Sequence, residues 1–226
     1  MTPLKIKIAV TGAKGTIGQI LLKNLKNIEV VPIDLPEIDA RNKTALTEAV
    51  ADCTYLIHLA WNKKTENFRN GKWDPDNSIM AYNAYEAALM TGIKRVIISS
   101  SIHANPLSIN GELIHPMDHP LPQSPYGANK VFIESLGRYF STKGLEIVCL
   151  RFGGVNPEDR VDLPEEGYRK VWLSHRDLTD LMVQCISAEK IPNGFTIINA
   201  VSNNDGRIFN TVNPLNWHPQ DNAALR

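Results

Sequence analysis

The start of the chain restricts the fold more than any other stretch. Ile6-Lys7-Ile8-Ala9-Val10 reads as a buried strand. Thr11-Gly12-Ala13-Lys14-Gly15-Thr16-Ile17-Gly18 follows at once, and Gln19-Ile20-Leu21-Leu22-Lys23-Asn24-Leu25 has helical periodicity. Strand, glycine turn and helix in direct succession are the context a dinucleotide pyrophosphate requires. Gly12 permits the turn, Gly15 lets the backbone approach the phosphates, and Gly18 lets the helix pack on the sheet. The helix opens at Thr16 and Ile17, where free N–H groups and the positive dipole end face the anion.

The segments that follow extend this beginning into an alternation. Glu29-Val30-Val31-Pro32-Ile33 reads as a second strand ending in Asp34. An acid there accepts hydrogen bonds from the adenosine ribose and repels a 2′-phosphate, which makes NAD the expected cofactor over NADP. Ile38-Asp39-Ala40 allows only a short third strand, and Thr44 to Val50 looks helical. Tyr55-Leu56-Ile57-His58-Leu59-Ala60 is apolar apart from His58, as in a strand buried on both faces. His58 reads as a structural histidine, and Leu59 and Ala60 fall in the expected cofactor crevice. Residues 61–73 form a polar, basic loop that either contacts substrate or is solvated surface. A helix over 77–89, strands at Val96–Ile98 and Ile147–Leu150, a helix from about Arg176 to Ser187 and a last strand at Phe195–Ala200 complete the pattern. Alternating strands and helices imply an α/β fold with a doubly wound parallel sheet, a Rossmann fold. Residues 1–151 are expected to form the NAD-binding domain. Residues 152–226 are expected to be a short C-terminal substrate-side extension of the same compact unit, with the tail as a lid or pocket wall.

The chemistry concentrates in Tyr126-Gly127-Ala128-Asn129-Lys130, which opens a helix after Gln123-Ser124-Pro125. Residues four apart share a helical face, so Tyr126 and Lys130 point the same way. A phenol with a pKa near ~10 is a weak base at neutral pH. A nearby ammonium favours the phenolate, giving an acid/base for a substrate hydroxyl. Ser101, at the end of the strand before, can orient the same oxygen. His103, His115 and His119 with Asp118 match no metal spacing and are broken by prolines, so no metal is expected.

Composition narrows the partners. Among 226 residues, 24 basic balance 24 acidic side chains, so nothing points to nucleic acid. No apolar run reaches the length of a membrane span. Three scattered cysteines, Cys53, Cys149 and Cys185, read as thiols in a reducing compartment, and the expected location is cytoplasmic.

The glycine motif, Asp34, Asn77, Ser101, Tyr126 and Lys130, in this order and spacing, resemble the extended short-chain dehydrogenase/reductase superfamily of NAD-dependent epimerases and dehydratases. Ser100-Ser101-Ile102-His103, Leu150-Arg151-Phe152-Gly153, Trp172-Leu173-Ser174-His175-Arg176-Asp177 and Asn216-Trp217-His218-Pro219-Gln220-Asp221-Asn222-Ala223 look like its uronate dehydrogenase branch. That resemblance implies oxidation of C1 of a hexuronic acid or related aldose to a lactone, with NAD. Tyr126 would be the base, Lys130 would hold the nicotinamide ribose and lower the Tyr126 pKa, and Ser101 would hold the reacting oxygen. Gly12, Gly15 and Gly18 would hold the pyrophosphate, Asp34 the ribose and Asp39 the adenine, while Asn77 supports the active-site helix. His103 and Arg169 match substrate-contacting positions, Arg169 facing the carboxylate through its planar fork. Two departures lie at the substrate: Ile102 replaces the usual Asn, and Lys63 in the longer basic loop replaces a small polar residue. They keep open a phosphorylated sugar held by Lys63, Lys64, Arg69 or Lys72, alongside a sugar-nucleotide epimerase and a non-catalytic sensor. The resemblance also implies a homodimer or higher homo-oligomer paired through helices near 77–90 and 125–141.

Overall fold

The computed structural model describes residues 6–26, 28–63, 71–106, 112–164 and 167–226. Six parallel strands form one sheet: β1 (Lys7–Thr11), β2 (Glu29–Ile33), β3 (Tyr55–His58), β4 (Arg95–Ser101), β5 (Glu146–Phe152) and β6 (Phe195–Ala200). Their spatial order is β2-β1-β3-β4-β5-β6. The chain leaves β1 in one direction to make β2 and returns to the other side for β3. The carboxyl ends of β1 and β3 therefore flank the crevice where ligands bind in sheets of this kind.

Helices α1 (Thr16–Asn24), α2 (Lys43–Val50), α3 (Pro75–Thr91), α4 (Pro125–Ser141), the single turn α5 (Tyr168–Val171) and α6 (His175–Ser187) connect the strands. Successive strand residues point to opposite faces, and both faces are covered. Ile8, Val10, Ile57, Val148 and Leu150 pack with Leu21 of α1 and Leu178, Leu181 and Cys185 of α6. Ala9, Leu56, Val96, Ile98 and Cys149 pack with Leu46 of α2, Ala84 of α3 and Ile133 of α4. Cys53, Cys149 and Cys185 are free and buried. None of the described helices is long and apolar enough to cross a membrane.

The doubly wound parallel sheet follows the expectation, with one correction. Ile38-Asp39-Ala40 is not a strand. Ile38 N–H turns back to the Asp34 carbonyl, and the Asp39 carboxylate takes the Arg41 N–H, so this short stretch closes on itself. The C-terminal segment is latched to the start of α6. Buried Asp177 accepts the N–H groups of Gln220 (2.8 Å) and Asp221 (3.0 Å), and Ser174 Oγ donates to Asp221 (2.6 Å).

Candidate active site

At the cofactor end, backbone meets backbone. Gly12 has φ of +69°, and a Cβ there would stand 2.7 Å from both Leu59 C and Ala60 N. A Cβ at Gly18 would stand 2.5 Å from Gly12 O. Buried Thr11 fastens the two strand ends: its Oγ1 lies 2.8 Å from His58 Nδ1 and accepts the N–H groups of Leu59 and Ala60. Burial pushes His58 down to about 3, so it stays neutral. Gly15 caps α1 without any side-chain cap, leaving the N–H groups around Thr16 and Ile17 for an anion. The Asp34 carboxylate, at the end of β2, accepts the N–H of Lys14 (2.7 Å) and of Leu35 (2.8 Å) and so sits against the glycine turn. Asp39 is paired with Arg41, whose guanidinium also reaches Asp76 on α3 (2.9 Å) and holds the Asp39 carboxyl below its usual range. Asn77, 2% exposed, accepts the N–H of Asn62 at 2.7 Å and ties the loop after β3 to α3.

The chemistry lies along the same edge of the sheet. Ser124 caps α4 by accepting the Gly127 N–H at 3.1 Å, with Pro125 in the first turn. A Cβ at Gly127 would fall 2.1 Å from His103 O, so the helix start presses directly on the 3-10 turn Ile102–Ala104 after β4. This contact puts Tyr126 beside Ser101, and the two side chains are hydrogen-bonded. The Ser101 oxygen also accepts the His103 N–H at 3.2 Å. Two rings stand edge-on to Tyr126: Trp61 at 5.2 Å and His103 at 5.8 Å between centroids.

Lys130 lies one turn further on, 3% exposed. Its Nζ donates to Ser99 O at 2.9 Å and sits 3.9 Å from the centre of the Trp61 ring. For a desolvated ammonium such a contact contributes about 2 kcal/mol. Burial pushes Lys130 down to about 7, against the pull of the Glu134 carboxylate. The Tyr126 phenol is raised, because burial outweighs the Ser101 hydrogen bond. The expected lowering by Lys130 is not what governs this phenol: Nζ lies 5.7 Å from the Tyr126 ring centre and is engaged with Ser99 and Trp61.

Sequence reasoning missed a layer beneath these groups. Glu134, one turn below Lys130, is 4% exposed and forms a fork with Arg151, Oε1 to Nε and Oε2 to Nη2, both at 2.8 Å. Ser100 Oγ donates to the same carboxylate at 2.5 Å, and Arg151 Nη1 donates to Asn105 at 2.8 Å. A charge inside the apolar run Leu150-Arg151-Phe152 was the available signal. Trp61 also went unmarked, inside a loop read as polar.

Three expected substrate contacts stand apart. Ile102, 4% exposed, is turned into an apolar cluster with Ile114, Val201 and Phe209, so replacing Asn there orphans no polar group. Arg169 is exposed, and its Nη2 donates to the Ala223 carbonyl in the C-terminal turn. Lys63 and Lys72 are exposed, and Lys64 and Arg69 fall outside the described residues.

The glycine cradle, which a single Cβ would fill, and the uncapped start of α1 fit an NAD pyrophosphate. Residues 8–158 match the model of the NAD dependent epimerase/dehydratase family. The chain belongs to that family. It is 32% identical to an L-arabinose 1-dehydrogenase (NAD(P)(+)) of Haloferax volcanii, over 96% of this chain and 98% of that protein. It is 28% identical to a uronate dehydrogenase of Agrobacterium fabrum, over 96% of this chain and 85% of that one. A crystal structure of uronate dehydrogenase from Agrobacterium tumefaciens, a tyrosine-to-alanine mutant complexed with NAD, superposes with a TM-score of 0.81 at 28% identity. It covers 97% of this chain and 86% of that one. Within the NAD dependent epimerase/dehydratase family, this protein is an NAD-dependent oxidoreductase acting on a CH–OH group and sits among dehydrogenases of sugars.

Proposed function

We propose that this protein oxidises C1 of an aldose, a hexuronic acid or a related uncharged sugar, to the lactone. The observation that carries the reading is the Ser101–Tyr126 hydrogen bond, with Lys130 one turn along, on the same sheet edge as the glycine turn. Ser101 Oγ donates to the C1 oxygen and fixes it beside the phenol. Tyr126, as phenolate, takes the hydroxyl proton while the C1–H electron pair departs. NAD, held by Gly12, Gly15 and Gly18 and by Asp34, supplies the hydride acceptor. We assign Lys130, held by Ser99 O, to the nicotinamide ribose, and Asn77 keeps the loop after β3 in place. Leu59, Ala60, Thr16 and Ile17 complete the cofactor crevice, and Asp39 with Arg41 forms its adenine side.

Arg169, tied to the C-terminal turn, and Ile102, sunk in its cluster, favour the uncharged aldose over the hexuronate. We further propose residues 1–151 as the NAD-binding part and 152–226 as the substrate-side extension, one unit because β6 pairs with β5. A homodimer through α3 and α4 is proposed from the exposed Ile79, Tyr82, Phe132 and Tyr139 on those helices. The test is NADH formation from a panel of free aldoses, hexuronates and phosphorylated sugars. Wild-type protein is expected to reduce NAD with a free sugar, and absence of turnover on every sugar would overturn the reading.

A further inference from the structure

We propose that Glu37 is a specificity-determining residue for the cofactor: it pairs with the Lys14 ammonium and so denies that cation to the 2′-phosphate of NADP. The proposal rests on Asp34 holding the adenosine ribose of NAD, as read above, and names a second acid that acts beside it.

The backbone brings the two side chains together. The glycine turn after β1 is tied to the end of β2 at two points. Ala13 N–H donates to Ile33 O at 3.4 Å, and Lys14 N–H donates to Asp34 Oδ2 at 2.7 Å. Beyond Asp34 the chain turns back, with Ile38 N–H donating to Asp34 O at 3.0 Å. That turn carries Glu37 round to the Lys14 side chain. Lys14 Nζ donates to Glu37 Oε2 and to Leu35 O, both at 2.7 Å. The Lys14 hydrogen bond holds the Glu37 carboxyl below the usual carboxylate range, so Glu37 is charged at neutral pH.

Asp34 fixes what these groups face. Its two oxygens accept the N–H groups of Lys14 and Leu35, so both residues border a ribose held there. A 2′-phosphate is attached through a ribose oxygen and must settle among the groups around that carboxylate. Asp34 and Glu37 repel it, and a cation is needed to offset them. Arg41, in the same segment, is engaged by two carboxylates, Asp39 and Asp76. Lys14 has Glu37, in a pair open to water with side chains 55% and 67% exposed. Exposed pairs hold weakly. Removing the Glu37 charge therefore takes away one repulsion and frees the ammonium for the phosphate.

The test is calorimetric titration of NAD and of NADP into wild type, Glu37→Gln and the double variant Glu37→Gln/Lys14→Met. Each is run at low salt and at about 1 M salt, where the Debye length falls to about 3 Å. Wild type is expected to bind NAD far more tightly than NADP. Glu37→Gln is expected to tighten NADP on the order of tenfold and to keep NAD within about twofold, because only the phosphate carries the added charge. Adding Lys14→Met should abolish the gain, and high salt should shrink it. Retained NAD affinity shows that each variant is folded. An unchanged NADP-to-NAD affinity ratio in Glu37→Gln would overturn the proposal, as would a gain that survives loss of Lys14 or a wild type that binds both cofactors equally. In each of those cases NAD still binds and the cofactor site stands. Failure of wild type to bind NAD would sink the site itself, and this proposal with it.

Discussion

Tyr126 and Lys130, the proposed catalytic pair, are both shifted toward their neutral forms by burial. Lys130 is nearly removed from water and Tyr126 partly so: the phenol is pushed upward, the ammonium down to about 7. The productive state needs the phenolate, and kcat/KM should therefore rise with pH as it is populated. Lys130 falls near 7 and is uncharged where the phenolate forms, so Lys130→Met should leave that rise in place, and a rise moved to higher pH would show an ammonium acting on the phenol. Tyr126→Phe keeps the ring between Trp61 and His103 but removes the proton acceptor. Its kcat is expected to fall on the order of 10²–10⁴-fold with NAD affinity retained. Wild-type turnover in that variant would falsify the role. The spacing of Tyr126, Lys130 and Ser101 was legible because one helical turn fixes a shared face. The substrate side was not: whether Ile102 faced sugar or core depended on Ile114 and Phe209, distant in the chain.

Among the elements, α4 carries the site because its first turn has no room to move. Gly127 lies against His103 O, so Gly127→Ala must push α4 away from the turn that bears Ser101. Such overpacking costs about 1–3 kcal/mol, and kcat should drop with it. An alanine variant with native melting temperature and turnover would show that the contact yields freely. Further along α4, the Glu134–Arg151 fork braces β5 against the helix. Glu134→Leu leaves a buried guanidinium without its carboxylate, a loss of about 3–5 kcal/mol. Urea unfolding measures it, and a change under 1 kcal/mol would mean the pair is dispensable. Strands such as Ile147–Leu150 were readable because unbroken apolar runs suit a sheet covered on both faces. Ile38-Asp39-Ala40 was misread because the Asp34 carbonyl and the Asp39 carboxylate claim the N–H groups of Ile38 and Arg41.

For the whole molecule, the buried ionisable groups set how stability follows pH. His58 is about 3 folded against an ordinary 6.5, so within that window the unfolded chain holds a proton the folded one lacks, and stability falls as pH drops. Lys130 acts the same way between 10.5 and about 7. Tyr126, raised from 10, makes stability fall again as pH climbs beyond that value. The chain should thus be most stable on the alkaline side of neutrality. Denaturant titrations of wild type and Lys130→Met test this: the slope above pH 7 should vanish in the variant, and an unchanged slope would refute the cause. The order of the sheet was legible at this scale because each strand ran directly into a helix pattern. The expectation of a dimer came from the family resemblance alone, and the exposed apolar residues on α3 and α4 are what support it. Analytical ultracentrifugation should find a dimer that Tyr139→Glu splits, and a monomeric wild type would remove that interface.

Two of the three thiols give the fold a means of reporting on itself. Cys149 lies in the layer under α3 and α4 and Cys185 in the layer under α6, and burial holds both thiols far from the reactive thiolate, Cys185 at about 12. Neither can meet an alkylating reagent unless its own layer lifts off the sheet. Mass-resolved labelling rates at these two positions would therefore time the opening of each side of the molecule separately. With NAD added, they would show which side the cofactor holds shut.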